Sequence, residues 1–255
     1  MMLASLFMSA AQAQIKTEEV TYEANGVKMH GYVAYNETLK GKLPVVLVVH
    51  EWWGLNDYAK QRARQIAELG YFAFAVDMFG EGKIAENPEQ AMALAGVLYG
   101  DPKLALTRMN AAVEKCKSFN QAHVSNTSAI GYCFGGSMVL NSAKQGMDLK
   151  AAVSFHGGLA GVPAEKGKTS AQILVCHGGA DPFVPEKDVT DFKANCDGAG
   201  VNYTFIVYEG ATHAFSNPYS TEAGKKFNLP IAYNEKADHD SWNDMKNFFG
   251  KVIKK

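Results

Sequence analysis

One short run carries the densest chemical information in the chain: Gly131-Tyr132-Cys133-Phe134-Gly135-Gly136. It follows an apolar stretch of strand character and opens a helical pattern. That is the context in which a G-x-[S/C]-x-G run acts as a nucleophile turn. Such a turn is sharp enough that side chains two before and two after its central residue would collide, hence glycine at 131 and 135. Cys133 is then held out into a cleft. A helix beginning at Phe134 directs N–H groups and a partial positive charge at the sulfur, favouring a thiolate and any oxyanion formed beside it.

A nucleophile held this way needs a base, and the base needs an orienting carboxylate, both from later strand ends. The apolar stretch 173–176 runs into His177-Gly178-Gly179-Ala180-Asp181-Pro182, which puts Asp181 on a loop just past a strand. Residues 204–208 run into Glu209-Gly210-Ala211-Thr212-His213, which places His213 in the same way. Singly, each has an ordinary reading: a buried cysteine in a glycine-rich turn, a turn carboxylate before proline, a loop histidine. Together, in the order Cys, Asp, His and each at a strand's carboxyl end, they predict a Cys133–Asp181–His213 triad.

The elements that must hold these residues follow from periodicity. Alternating segments at 18–24 and 27–35 flank Asn25-Gly26, a two-residue hairpin signal. Residues 44–50 form a continuous β-branched run suited to a strand buried on both faces. A helix is expected over 57–69, stopped by Gly70, then a strand over 71–76 and proline-started helices over 88–98 and 102–119. The second half repeats the alternation: strands over 127–131, 151–155, 172–177 and 201–208, and helices over 134–145, 186–198 and 235–251. Strands alternating with helices imply a mostly parallel sheet with right-handed crossovers, and the leading hairpin adds antiparallel edge strands.

At 255 residues, 47% hydrophobic and 20% charged, the chain can bury a large core. Its net charge of −1, with Lys and Arg scattered, argues against nucleic acid or an anionic membrane as partner, and no run is apolar enough to span a bilayer. Residues 1–14 are apolar and small and contain Ala11-Gln12-Ala13, a pattern of the kind signal peptidase cleaves. They are read as the remnant of a signal peptide on an exported protein, periplasmic or secreted; without that role the chain would be cytoplasmic. Residues 15–255 are read as one domain. With Cys133 as nucleophile, Cys116, Cys176 and Cys196 allow at most one disulfide, and the four cysteines fit no zinc pattern. His50-Glu51 lacks the second histidine of a zinc-protease motif.

The three segments GYCFGG, HGGAD and GATHAF resemble the active-site segments of the dienelactone hydrolase family. So do His50-Glu51-Trp52-Trp53-Gly54 and the terminal Tyr233-Asn234-Glu235 with Ser241-Trp242. The resemblance implies an α/β-hydrolase fold and a cysteine nucleophile acting on an ester or lactone. It also implies that Glu51 contacts the Cys133 thiol and switches it between resting and activated states. The oxyanion hole is expected from the backbone amides of Trp52 and Phe134. Family members acting on dienelactone hold its carboxylate with arginines, one shortly after the fourth strand and one four residues past the catalytic histidine. Here residues 77–83 contain no arginine, leaving Lys83 as the nearest replacement, and the second position is Asn217. An ammonium lacks the planar fork that grips a carboxylate at two points, so a neutral or less carboxylate-dependent ester or lactone is expected.

Trp53, Phe79 and Tyr132, with Trp52, are expected to line an apolar substrate pocket together with Lys83 and Asn217. His156 and His177 are read as structural. The expected reaction is acyl transfer to water through a thioester, with a small-molecule substrate and no metal or organic cofactor. Two other readings stay open: an acyltransferase on the same triad, and a noncatalytic binding protein on the same fold.

Overall fold

Asn25 and Gly26 both take positive φ, 51° and 74°, making the two-residue turn between β1 (Ile15–Ala24) and β2 (Val27–Asn36). The computed structural model describes residues 14–254, so the proposed leader falls almost wholly outside the described residues. Beyond the hairpin the strands are β3 (Leu43–Val49), β4 (Phe72–Val76), β5 (Ala122–Tyr132), β6 (Ala151–Phe155), β7 (Gln172–Gly178) and β8 (Tyr203–Tyr208). They form one sheet in the order β1-β2-β4-β3-β5-β6-β7-β8. The contacts of β2 with β1 and with β4 are antiparallel, and every later pairing is parallel. This is the α/β-hydrolase arrangement expected from the sequence.

The helices are α1 (Asp57–Glu68), α2 (Pro88–Gly100), α3 (Pro102–Cys116), α4 (Phe134–Lys144), α5 (Glu186–Ala199), α6 (Ser220–Phe227) and α7 (Glu235–Val252). Side-chain alternation along β3 splits the core in two. Val45, Leu47 and Val49 pack with α2–α5, while Val46 and Val48 pack with α1 and α7. Burying both faces of β3 explains its unbroken apolar run. Two features depart from the expected boundaries. Strand β5 starts at Ala122 because the register shifts at Pro44/Val45, so residues ahead of Thr127 pair while pointing polar side chains outwards. Helix α6 lies in a stretch without apolar periodicity and buries only Ser220 and Gly224.

From β3 the chain steps to β4 on one side, then returns past β3 to place β5 on the other. Such a switch point leaves a crevice outside the carboxyl ends of the two strands. Glu51 follows β3 and Cys133 follows β5, so the topology brings both to that crevice.

At the strand-to-helix turn the glycines have almost no room for a side chain. A Cβ on Gly131 would lie 2.1 Å from the Gly135 carbonyl oxygen, and one on Gly135 would lie 2.3 Å from that of Val49. In an open helix, Gly→Ala gains about 1 kcal/mol. Here the backbone contact reverses the sign, and overpacking of this kind costs roughly 1–3 kcal/mol or more. Gly135→Ala is therefore expected to lower unfolding stability in urea titrations; an unchanged or higher midpoint would show that the turn has room to spare.

Candidate active site

Cys133 sits between β5 and α4 at φ 53° and ψ −118°, a conformation few non-glycine residues adopt. Its N–H is shared between the Phe155 carbonyl at 3.0 Å and Nδ1 of His156 at 3.1 Å. Its Sγ lies 3.0 Å from Nε2 of His213, whose Nδ1 lies 2.8 Å from Oδ2 of Asp181. The other Asp181 oxygen accepts the Phe183 N–H at 2.9 Å, which fixes the carboxylate. The structure thus places the three sequence-predicted residues in one hydrogen-bonded row at the carboxyl ends of β5, β7 and β8. Burial opposes a charge on His213, but Cys133 and Asp181 at its two nitrogens outweigh it and push the imidazole up to about 10.

This row opens on a cavity of about 180 Å³. Its walls include Trp52, Trp53, Tyr99, Phe183, Leu229 and Ile231, and among the described residues neither lysine nor arginine lines it. Trp52 lies on the loop after β3, and Phe134 is the first residue of α4, where a helix leaves its N–H groups without internal acceptors.

Of the six expected pocket residues, Trp52 and Trp53 line the cavity, and Tyr132, Phe79, Lys83 and Asn217 do not. Tyr132 is fully buried beneath it, stacked on Phe155 at 4.8 Å, because consecutive residues at a strand end point to opposite faces. Phe79 is drawn into the core against His50 and Phe134. Lys83 is half exposed and pairs with Glu81 at 2.7 Å. One residue explains both of the latter. Asp77 accepts the N–H groups of Phe79, Gly80 and Gly82 at 2.8–3.0 Å and curls residues 77–83 around its own carboxylate.

Asn217 takes a role other than gripping substrate. Its Nδ2 donates to Oε2 of Glu51 at 2.6 Å, and both side chains are buried. Glu51 and Cys133 line the same cavity, but their hydrogen bonds run to Asn217 and His213 respectively. Burial raises the Glu51 carboxyl to about 7, against the lowering effects of Asn217, His213 and Arg62. The preceding His50 donates from Nδ1 to the Glu51 carbonyl and accepts the Met78 N–H on Nε2 at 3.2 Å, tying the loops after β3 and β4 together. Burial lowers its pKa to about 4, leaving it neutral.

Behind the row lies a buried network that the sequence reading passed over. His156 Nε2 bonds Ser216 Oγ at 2.7 Å, and Ser216 Oγ bonds the Tyr58 hydroxyl at 2.8 Å. Arg62 donates to Tyr58 at 3.2 Å and to the Ser216 carbonyl at 2.6 Å, and pairs with Asp238 on α7. The network joins the Cys133 turn to the loop carrying His213 and Asn217. One signal was available: Arg62 interrupts the buried face of α1 formed by Tyr58, Ala59, Ala63, Ile66 and Ala67. His156 and Ser216 lie outside any helix or strand, where no periodicity reports burial.

Residues 29–253 match the dienelactone hydrolase family. The chain belongs to that family. It is similar to protein usf of Aquifex pyrophilus, at 31% identity over 92% of this chain and 98% of that one. Among solved structures, it is similar to a dienelactone hydrolase-like promiscuous phosphotriesterase from metagenomic libraries. That likeness is 31% in sequence, covers 95% of this chain and 100% of the other, and has a TM-score of 0.88. It is similar also to m3DLH, at 32% identity, 94% and 99% coverage and a TM-score of 0.88. Membership makes this dienelactone hydrolase relative a hydrolase of the α/β-hydrolase fold.

The raised Glu51 pKa has a stability consequence of definite sign. Between the unfolded value near 4.5 and the folded value near 7, the native state holds more protons, so stability falls as pH rises through that window. Glu51→Gln keeps an oxygen for Asn217 and removes the charge. The variant is expected to match the wild type at pH 4 and to exceed it above pH 7 by on the order of 2–3 kcal/mol. Urea titrations across that range check this; parallel curves would show that Glu51 ionises as an ordinary carboxyl.

Proposed function

We propose that the chain hydrolyses a neutral ester or lactone through Cys133, His213 and Asp181. The observation that carries the reading is the Cys133–His213–Asp181 row, with contacts of 3.0 and 2.8 Å, opening on an apolar cavity that has no lysine or arginine among its described wall residues. Once the thiol proton has passed to Nε2 of His213, the Cys133 thiolate faces an imidazolium. The thiolate attacks the carbonyl carbon, and the amides of Trp52 and Phe134 receive the developing oxyanion. Collapse breaks the carbon–oxygen bond, and Nε2 of His213 gives its proton to the departing alkoxide. Neutral His213, oriented by Asp181, then takes a proton from water as the water attacks the thioester. Collapse of the second tetrahedral species releases the acid and restores the thiolate–imidazolium pair. Glu51, with a pKa near neutrality, can take the thiol proton when the pair is not formed.

The missing arginines support the choice of a neutral substrate. A free carboxylate in this cavity would lose water without gaining a lysine or arginine, the His213 imidazolium being already paired with the thiolate and Asp181, and it would face Glu51. The test uses neutral aryl esters and dienelactone with the wild type and Cys133→Ala. Cys133→Ala is expected to lose about three orders of magnitude or more in kcat. Quenched turnover by the wild type is expected to show an acyl adduct on Cys133. Neutral esters should exceed dienelactone in kcat/KM by about tenfold or more, a difference of about 1.4 kcal/mol in transition-state binding. A clear preference for dienelactone would overturn the neutral-substrate reading. Transfer of the acyl group to added alcohols or amines in preference to water would make the chain an acyltransferase. A folded wild type that acylates with none of the esters would favour a binding role.

A further inference from the structure

Beside the catalytic cavity lies an open cleft of about 630 Å³, and the two share four wall residues: Glu51, Trp53, Ala214 and Ile231. Ala214 follows His213 in the chain, and Ile231 is bridged to the backbone of His213. The cleft therefore opens on the His213 side of the cavity. In acyl transfer Nε2 of His213 protonates the departing oxygen, which puts the leaving alcohol on that same side. We propose that this cleft holds the leaving-group half of the ester and selects bulky alcohols that carry no negative charge. The inference rests on the acyl-transfer reading above and adds to it the class of alcohol released.

Size, surface and charge all point this way. The catalytic cavity, about 180 Å³, has room for a small acyl group, whereas the cleft is several times larger. Its walls offer flat apolar faces: Trp53 stacks on Phe227 at 5.6 Å, and Tyr219 stands largely exposed on the rim. The charged side chains facing the cleft besides Glu51 are Asp57, Glu86 and Glu222 against Lys226. Glu222 is itself paired with Lys225 at 2.8 Å. The balance repels an anionic alcohol and tolerates a neutral or cationic one.

The experiment compares kcat/KM for phenyl acetate, β-naphthyl acetate and a naphthyl acetate bearing a ring carboxylate. All three deliver the same acetyl group, and kcat/KM reports acylation, the step in which the alcohol is still attached. The naphthyl ester is expected to exceed both the phenyl ester and the carboxylated ester by about tenfold, or about 1.4 kcal/mol. Ala223→Trp, on the half-buried face of α6 in the cleft, should bring the naphthyl-to-phenyl ratio close to one. Glu86→Lys, at an exposed rim position, should raise the carboxylated ester several-fold relative to the neutral one. Ratios unmoved by both variants would overturn the proposal. Should no acyl-enzyme form, the acyl-transfer reading fails separately, and calorimetry with free β-naphthol decides the cleft on its own. Binding by the wild type that Ala223→Trp abolishes supports it; no binding, or equal binding by both, overturns it.

Discussion

Cys133 holds a backbone conformation that costs on the order of 1–3 kcal/mol, and much of the surrounding structure keeps it there. Strand β5 enters between β3 and β6, so the turn cannot move sideways without breaking two parallel ladders. Helix α4 leaves at once, its first residues close enough to β3 that a Cβ on Gly135 would collide with the Val49 carbonyl. The Cys133 N–H is held by both Phe155 and His156. A strained residue persists only where its neighbours leave it no alternative, and here the neighbours are sheet, helix and a buried imidazole at once.

Three histidines within this region carry different charge states, and their partners explain the difference. His50 has a backbone acceptor at one nitrogen and a backbone N–H at the other, so one proton satisfies both. His156 likewise accepts the Cys133 N–H and bonds Ser216, and burial with the nearby charges of His213 and Arg62 drives its pKa well down. His213 alone faces two groups able to bear negative charge, so a second proton is stabilised despite burial. Burial is common to all three. The groups at the two ring nitrogens decide the outcome.

How far such a site can be read from sequence depends on whether local rules or the closed fold set each position. The strand ends and glycines around Cys133, Asp181 and His213 are local consequences of sharp turns, and reading them put the three residues on the right elements. The hairpin turn and the parallel strands were legible for the same reason. Pocket membership was legible only for Trp52 and Trp53. Whether Phe79 faces a cavity depends on how Asp77 folds its loop, and the fate of Asn217 depends on a carboxylate 166 residues earlier. Helix α6 and Ile231, which shape the mouth of the site, lie in a segment positioned by contacts rather than by pattern.

The cysteines give the molecule a built-in count of its own folded copies. Cys116, Cys176 and Cys196 are unpaired and buried, with burial pushing the first two thiols up to about 12 and raising the third. Cys133 stands at the wall of a cavity beside an imidazole. A thiol-alkylating reagent small enough to enter would therefore meet one sulfur in the native chain and four after unfolding. The stoichiometry of labelling, taken before and after denaturant, would then report the fraction of folded protein in a preparation.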